Sequence, residues 1–190
     1  MDGEIGAAAL LLVGQPDAHR SAGERVHDVA GAEGIGGDGD RSDQLAEEAH
    51  ATHAAQGLQA RPDAAGEPLA AGLVINMIDQ RVLKPTPEFM TYTLSKMGLW
   101  ALTRTSAQAL APHIRVNAIG PGPTLQGARQ SAAHFAAQRA AVPLGRGAGP
   151  SDVTAALAYF LAAPAVTGQL LCVDGGQHLA WKTPDVLGVE

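Results

Sequence analysis

Three short apolar runs that alternate with helical segments constrain the fold of this chain more than any other feature. The runs cover residues 73–78, 114–119 and 170–173, and each is short and rich in Leu, Ile or Val. Runs of this length and composition are typical of strands buried in a parallel sheet. Helices are predicted between and around them, over residues 91–111, 126–141 and about 151–162. Strands that alternate with helices indicate an α/β fold with right-handed crossovers.

The predicted helices carry their own local signals. The helix over 91–111 has apolar residues at mixed spacings, which predicts burial on more than one side. The last helix is expected to begin with Ser151 as its N-cap, followed by Asp152 in the first turn. Residues 120–124, Gly-Pro-Gly-Pro-Thr, are predicted to form a loop after the second strand.

The composition divides the chain at about residue 70. Residues 1–70 contain no lysine and no aromatic residue, and they carry 13 acidic residues against 4 arginines. A segment so poor in large apolar side chains gains little from burial, so we expect residues 1–70 to be poorly ordered, apart from a strand over 7–13 and a helix over 43–60. Residues 71–190 are expected to form the folded domain.

The overall composition argues against several classes of protein. The net charge of −6 argues against a nucleic-acid binder, and a single cysteine, Cys172, predicts a reducing, cytoplasmic setting. The apolar run over 7–13 is too short to span a membrane. No metal site is predicted. Glu47, His50 and His53 could share a helical face, but a solvated polar face is the better interpretation of that spacing.

A tyrosine and a lysine four residues apart suggest chemistry on the first long helix. Tyr92 and Lys96 share a helical face at this spacing, and a nearby ammonium lowers a tyrosine pKa from roughly 10 toward neutrality. Asp79 follows the first predicted strand directly. Because ligands bind outside the carboxyl ends of parallel strands, Asp79, Tyr92, Lys96 and the 120–124 loop are expected to converge there. Judged alone, the Tyr–Lys pair is better interpreted as an ordinary surface pair, and the alternative role for Asp79 is a helix- or loop-capping carboxylate.

Six ordered motifs make residues 73–181 resemble the C-terminal half of a short-chain dehydrogenase/reductase. They are VINMID at 74–79, YxxxK at 92–96, IRVNAIGPGPT at 114–124, PLGR at 143–146, SDV at 151–153 and TGQLLCVDGG at 167–176. The aspartate at position 79, where most members have serine, makes the segment most similar to pteridine reductases and dihydromonapterin-reductase-like proteins. The resemblance implies a partial Rossmann-like fold with a doubly wound parallel sheet, in which the N-terminal strands are missing or replaced.

The resemblance also implies a function. It implies an oxidoreductase that uses NADP(H), or alternatively NAD(H), to reduce a pteridine or related carbonyl or imine substrate. Tyr92 would donate a proton, Lys96 would hold the nicotinamide ribose, and Asp79 would orient the substrate or relay protons. The loop residues Pro121, Gly122 and Thr124 would line the cofactor. The resemblance further implies a homo-oligomer, a dimer or tetramer, with Tyr159, Phe160 and Trp181 available to a partner chain.

The sequence departs from the family pattern before residue 71. The family's TGxxxGxG turn, which carries the cofactor diphosphate, does not occur, and the glycines at 31–36 have the wrong spacing and acidic neighbours. One hypothesis is that residues 1–70 come from a wrong reading frame or a misplaced start. Two alternatives to an active reductase therefore stay open: a catalytically inactive fragment without its cofactor-binding half, and a non-enzymatic protein that forms oligomers.

Overall fold

The structure is a computed structural model that describes residues 10–14, 27–28, 58–128 and 130–182. Seven strands and three α-helices are assigned among these residues. They are, in chain order, β1 Leu10–Gly14, β2 His27–Asp28, β3 Arg61–Pro62, β4 Pro68–Leu69, β5 Gly72–Met77, α1 Met90–Leu110, β6 Ile114–Pro121, α2 Ala132–Ala140, α3 Pro150–Ala162 and β7 Leu170–Val173. The predicted α/β class is confirmed.

One five-stranded sheet organises the chain, in the order β2-β1-β5-β6-β7. The strands β5, β6 and β7 run parallel, with Val74 paired to Val116 and Gly120 paired to Cys172. β1 joins β5 in the antiparallel sense, and β3 and β4 form a separate small ribbon. The three parallel strands match the three apolar runs, and they fit a partial Rossmann-like fold.

Helices cover both faces of the parallel strands because successive strand residues point to opposite sides. Leu73, Ile75 and Ile119 pack with Phe160 of α3 on one face. Val74 and Val116 pack with Ala107 of α1 on the other face. This two-sided packing positions α1, and with it Tyr92 and Lys96, beside the carboxyl ends of the strands.

Several predicted boundaries and packing details were wrong. β6 continues to Pro121, two residues into the predicted loop, because Gly120 and Pro121 still pair with β7. α2 begins at Ala132 rather than at residue 126, with the Ser131 side chain accepting a hydrogen bond from the backbone of His134. α3 begins after Gly149 rather than Ser151, since the Asp152 carboxylate accepts the Gly149 backbone N–H at 2.7 Å.

The first helix is buried on one side rather than on several. Its buried residues are Lys96, Thr103 and Ala107, which follow a single helical stripe, whereas Leu94 is 71% exposed. Among the described residues, one face of α1 packs against the sheet. The opposite face of α1 has apolar side chains at the surface. Of the predicted strand over 7–13 the structure describes residues 10–13, as part of β1; of the predicted helix over 43–60 it describes 58–60, which are irregular.

Candidate active site

Asp79 lies where β5 ends, and its carboxylate has two separate tasks. One oxygen, Oδ1, accepts the backbone N–H of Arg81 at 2.7 Å and so caps the short 3-10 turn Gln80–Val82. The other oxygen, Oδ2, accepts the hydroxyl hydrogen of Tyr92 at 2.7 Å. The capping role and the contact with the tyrosine, which the sequence left as alternatives, therefore occur together.

The first turns of α1 bring Tyr92 and Lys96 to the same sheet edge. Lys96 is 5% exposed, and its Nζ donates a hydrogen bond to the backbone oxygen of Met77 at 3.2 Å. The Lys96 Nζ lies 5.7 Å from the centre of the Tyr92 ring. The structure thus brings Asp79, Tyr92 and Lys96 together as the sequence predicted.

The electrostatics of this group differ from the expectation. Burial, followed by the hydrogen bond and the negative charge of Asp79, raises the Tyr92 pKa well above its ordinary value, and Arg81 opposes this shift. Burial lowers the Lys96 pKa, and Asp79 raises it. The prediction of a lowered tyrosine pKa was wrong for this arrangement because the phenol faces a carboxylate, while the Lys96 ammonium points to a backbone oxygen. The Tyr92 hydroxyl therefore keeps its proton and donates it in the hydrogen bond to Asp79.

The loop after β6 lies between the ends of β5 and β7. A Cβ at Gly120 would lie 3.2 Å from the Gln80 backbone nitrogen, so β6 passes close to the turn that Asp79 caps. The Gly122 backbone N–H bonds the Val173 oxygen at 3.0 Å, and a Cβ there would lie 2.7 Å from the Asp174 Cα. A side chain at Gly122 would require the Asp174 backbone to move. A side chain at Gly120 would fit only if its neighbours shifted slightly. The Thr124 hydroxyl donates to the Gly122 oxygen at 3.1 Å.

A second polar group after β7 did not emerge from the sequence analysis. Cys172, Asp174 and His178 lie together at the carboxyl end of this strand. Burial raises the pKa of the Cys172 thiol to about 11, and the charges of Asp174 and Asp79 add to this effect. The spacing Cys-x-Asp-x-x-x-His is the signal that could have identified the group. Glu47, His50 and His53 lie outside the described residues.

The aromatic residues expected to serve a partner divide into two kinds. Phe160 is 1% exposed and packs in the core beneath α3, which corrects its expected availability to a partner. Tyr159 and Trp181 are 52% and 64% exposed. Helical periodicity explains the difference, since adjacent positions on α3 point in different directions.

Comparison with known families identifies the chain. The family model described as "Enoyl-(Acyl carrier protein) reductase" matches residues 26–178. The chain belongs to the short-chain dehydrogenase/reductase family. Within the described part of the chain, no helix is long and apolar enough to cross a membrane.

Several relatives of this short-chain dehydrogenase/reductase are reductases by name. Carbonyl reductase family member 4 of Danio rerio is 37% identical over 109 residues, and dihydromonapterin reductase of Citrobacter koseri is 32% identical over 110. These matches cover 57% and 58% of this chain and 46% of each relative. The structure of the Brucella canis FolM alternative dihydrofolate reductase 1 complexed with NADP is 54% identical, with a TM-score of 0.59 over 60% of this chain and 46% of that one. The chain spans a little under half the length of these relatives.

Proposed function

We propose that this chain belongs to an NADP(H)-dependent reductase that acts on a pteridine or a related carbonyl or imine substrate. The observation that carries the proposal is the 2.7 Å hydrogen bond from the Tyr92 hydroxyl to Asp79, with the buried Lys96 one helical turn away. The kinship with dihydromonapterin reductase and with the alternative dihydrofolate reductase supports the pteridine class.

Tyr92 is proposed to supply the proton that a reduction requires. Its hydroxyl is neutral and so holds the proton that a general acid gives up, and a bound substrate would take over the hydrogen bond that now runs to Asp79. Asp79 accepts that hydrogen bond and is fixed through its other oxygen by the Arg81 backbone. Asp79 is therefore proposed to orient the phenol and to accept an N–H group of the substrate, since an ionised carboxylate is a pure acceptor.

The residues at the ends of β5 and β6 fit the nicotinamide side of a cofactor site. Lys96 donates one hydrogen bond, to the Met77 backbone oxygen, and its ammonium has three donors, so it can also bind a ribose hydroxyl. Pro121, Gly122 and Thr124 are proposed to line the cofactor beyond the ribose. The reduced nicotinamide would supply hydride. NADP(H) is favoured because the Brucella relative was solved with NADP, and NAD(H) is the alternative.

We propose further that the protein works as a homo-oligomer, a dimer or tetramer, in the cytoplasm. Large apolar side chains remain exposed at the start of α1, where Phe89 and Met90 are each 68% exposed and Leu94 is 71% exposed. Burying them against a second copy removes this apolar surface from water. Trp181 is a further exposed candidate for such a contact.

The competing function is a catalytically inactive fragment, or a non-enzymatic protein that only forms oligomers. It is favoured by one observation, the absence of a TGxxxGxG turn from the sequence. The hypothesis of a wrong reading frame for residues 1–70 is tested on the gene. Translation of the upstream DNA in all frames should reveal TGxxxGxG and the Asn-Asn-Ala strand end, and their absence would refute it.

An NADPH titration separates the reductase from the inactive fragment. We expect NADPH to raise the thermal midpoint in a concentration-dependent way, since a ligand of the folded state stabilises it by mass action. Lys96→Met should reduce this shift, whereas Lys182→Met, at an exposed lysine near the end of the described chain, should preserve it. A midpoint that does not move at millimolar NADPH would refute cofactor binding and support the fragment. Light scattering then tests whether the chain forms oligomers.

A further inference from the structure

Three metal-ligating side chains of different types meet after β7. The Sγ of Cys172, a carboxylate oxygen of Asp174 and a ring nitrogen of His178 all lie within 4.8 Å of one another. They are distinct from the Asp79–Tyr92–Lys96 group of the proposed reductase. The motif over 167–176 that carries the family resemblance contains Cys172 and Asp174, whereas His178 lies beyond it.

The backbone explains why these three residues converge. Cys172 and Asp174 are two positions apart at the end of a strand, so their side chains leave the sheet on the same side. Gly175 and Gly176 then adopt positive φ angles of 66° and 83°, which reverse the chain direction. The following 3-10 turn, Gln177–Leu179, brings His178 back over Asp174.

Asp174 is fixed in position before any ligand arrives. It is 2% exposed, and its two oxygens accept the backbone N–H groups of Gly176 at 2.9 Å and His178 at 2.8 Å. The same Oδ2 lies 2.7 Å from the His178 Nδ1. Such hydrogen bonds to a carboxylate are the supporting contacts that orient ligands in metal sites.

We propose that Cys172, Asp174 and His178 bind a divalent transition metal, with Zn²⁺ as the best fit. Thiolate, imidazole and carboxylate are all established zinc ligands, whereas Mg²⁺ and Ca²⁺ select oxygen ligands and disfavour sulfur. Three protein ligands leave a fourth tetrahedral position for water. When the metal binds, His178 Nδ1 and Asp174 Oδ2, now 2.7 Å apart, separate to admit it. The imidazole stays neutral with its proton on Nε2, any further ring proton passes to solvent, and the thiol proton passes to solvent when the Cys172–metal bond forms.

A metal in this position would stabilise the loop that follows β6. Gly122 packs directly against the Asp174 backbone, so fixing Asp174, His178 and Cys172 to one ion would restrain both segments. The effect on the unfolding equilibrium follows from mass action, because the ligands converge only in the folded chain.

The test uses the metal-free full-length chain and Co²⁺ as a spectroscopic substitute for Zn²⁺. We expect saturable Co²⁺ binding with a thiolate-to-cobalt charge-transfer band, displaced by Zn²⁺, and a higher thermal midpoint with Zn²⁺. Cys172→Ser should abolish the charge-transfer band. His178→Gln removes a ligand, so it should weaken Co²⁺ affinity by at least the roughly 10-fold to 100-fold that losing a ligand's hydrogen-bond partner typically costs. Neither readout requires NADPH or turnover, so this test is independent of the proposed reductase activity.

The matched control is His134→Gln, because His134 is exposed on α2 and far along the chain from this cluster. It should leave affinity and spectrum unchanged. Circular dichroism of each variant confirms that the fold is retained, and Cys172→Ala provides a second removal of the thiol if Cys172→Ser unfolds. Absence of saturable binding, a charge-transfer band that survives loss of Cys172, or equal weakening by His134→Gln would each overturn the proposal.

Discussion

At the carboxyl ends of β5 and β7, an aspartate caps the turn that follows the strand, but the two aspartates differ in their side-chain partners. Asp79 and Asp174 each follow a strand and fix the turn that comes after it, and each has a side-chain partner at 2.7 Å. Asp79 remains partly exposed, and its partner is a phenol from another element. Asp174 is almost fully buried, and its partner belongs to the turn that it caps. The comparison fits both proposals: Asp79 accepts a hydrogen bond from a residue of another element, which suits the proposed reduction, whereas Asp174 is held rigidly by its own turn, which suits a preformed metal ligand.

The largest difference between the two strand ends is expected when each carboxylate is removed. Asp174→Ala leaves two backbone N–H groups without acceptors, so it should lower the free energy of unfolding by about 3 kcal/mol. Asp79→Ala loses one cap and the acceptor of the Tyr92 hydroxyl, both in a partly exposed position, and should cost about 1 to 2 kcal/mol. Urea unfolding of both variants, with slopes compared to exclude a change in the denatured state, measures the difference. Equal costs would contradict the assignment of different roles.

Gly120 near the end of β6 and Gly122 in the loop that follows test the same contrast from the neighbouring strand. Gly122→Ala places a Cβ 2.7 Å from the Asp174 backbone and should destabilise the chain by about 2 kcal/mol. Gly120→Ala meets the Gln80 backbone at 3.2 Å and a flexible Leu170 methyl group at 3.1 Å, so about 1 kcal/mol is expected. Thermal or urea unfolding ranks the pair. A larger cost for Gly120→Ala would show that the β5 side is the tighter one.

The smallest effect expected is the pH dependence contributed by Tyr92. Its pKa is raised in the folded chain, while the unfolded chain titrates near the ordinary value of about 10. Above that pH the unfolded state loses a proton that the folded state keeps, so stability should fall as pH rises. Stability of the wild type should therefore decline more steeply there than stability of Tyr92→Phe. Parallel slopes would contradict the buried, carboxylate-bonded phenol.

The sequence predicts which residues form the candidate site, but it does not predict the direction of their pKa shifts. Asp79 ends an apolar run, and Tyr92 and Lys96 are spaced by one helical turn, so position in sequence alone predicts that they meet. The direction of the Tyr92 pKa shift depends on which charge faces the phenol, and the sequence does not contain that distance. The same reason explains why the group around His178 was missed, since it depends on the path of a glycine turn.

For the fold, too, the sequence predicts some features and not others. The apolar runs predict β5 and β6 because burial on both faces leaves a continuous apolar signature. The run of β7 predicts a strand as well, although β7 lies at the sheet edge and its residues are half-buried. The start of α3 was misplaced because a serine is the stronger N-cap signal, whereas the chain uses Gly149 with the Asp152 side chain and Pro150 at the first position. The one-sided burial of α1 depends on which layers surround it, and helical spacing does not report that.

The most direct test of the central claim is the rate of reduction by Tyr92→Phe, compared with the wild type at saturating NADPH and a dihydropterin substrate. Phenylalanine keeps the ring and removes only the hydroxyl that donates to Asp79. We predict that kcat falls by about 10²-fold to 10⁴-fold, as expected for loss of a general acid, while NADPH binding is retained. Tyr159→Phe, at the exposed tyrosine of α3, should leave kcat unchanged. A Tyr92→Phe variant that reduces substrate at the wild-type rate would contradict the proton-donor role.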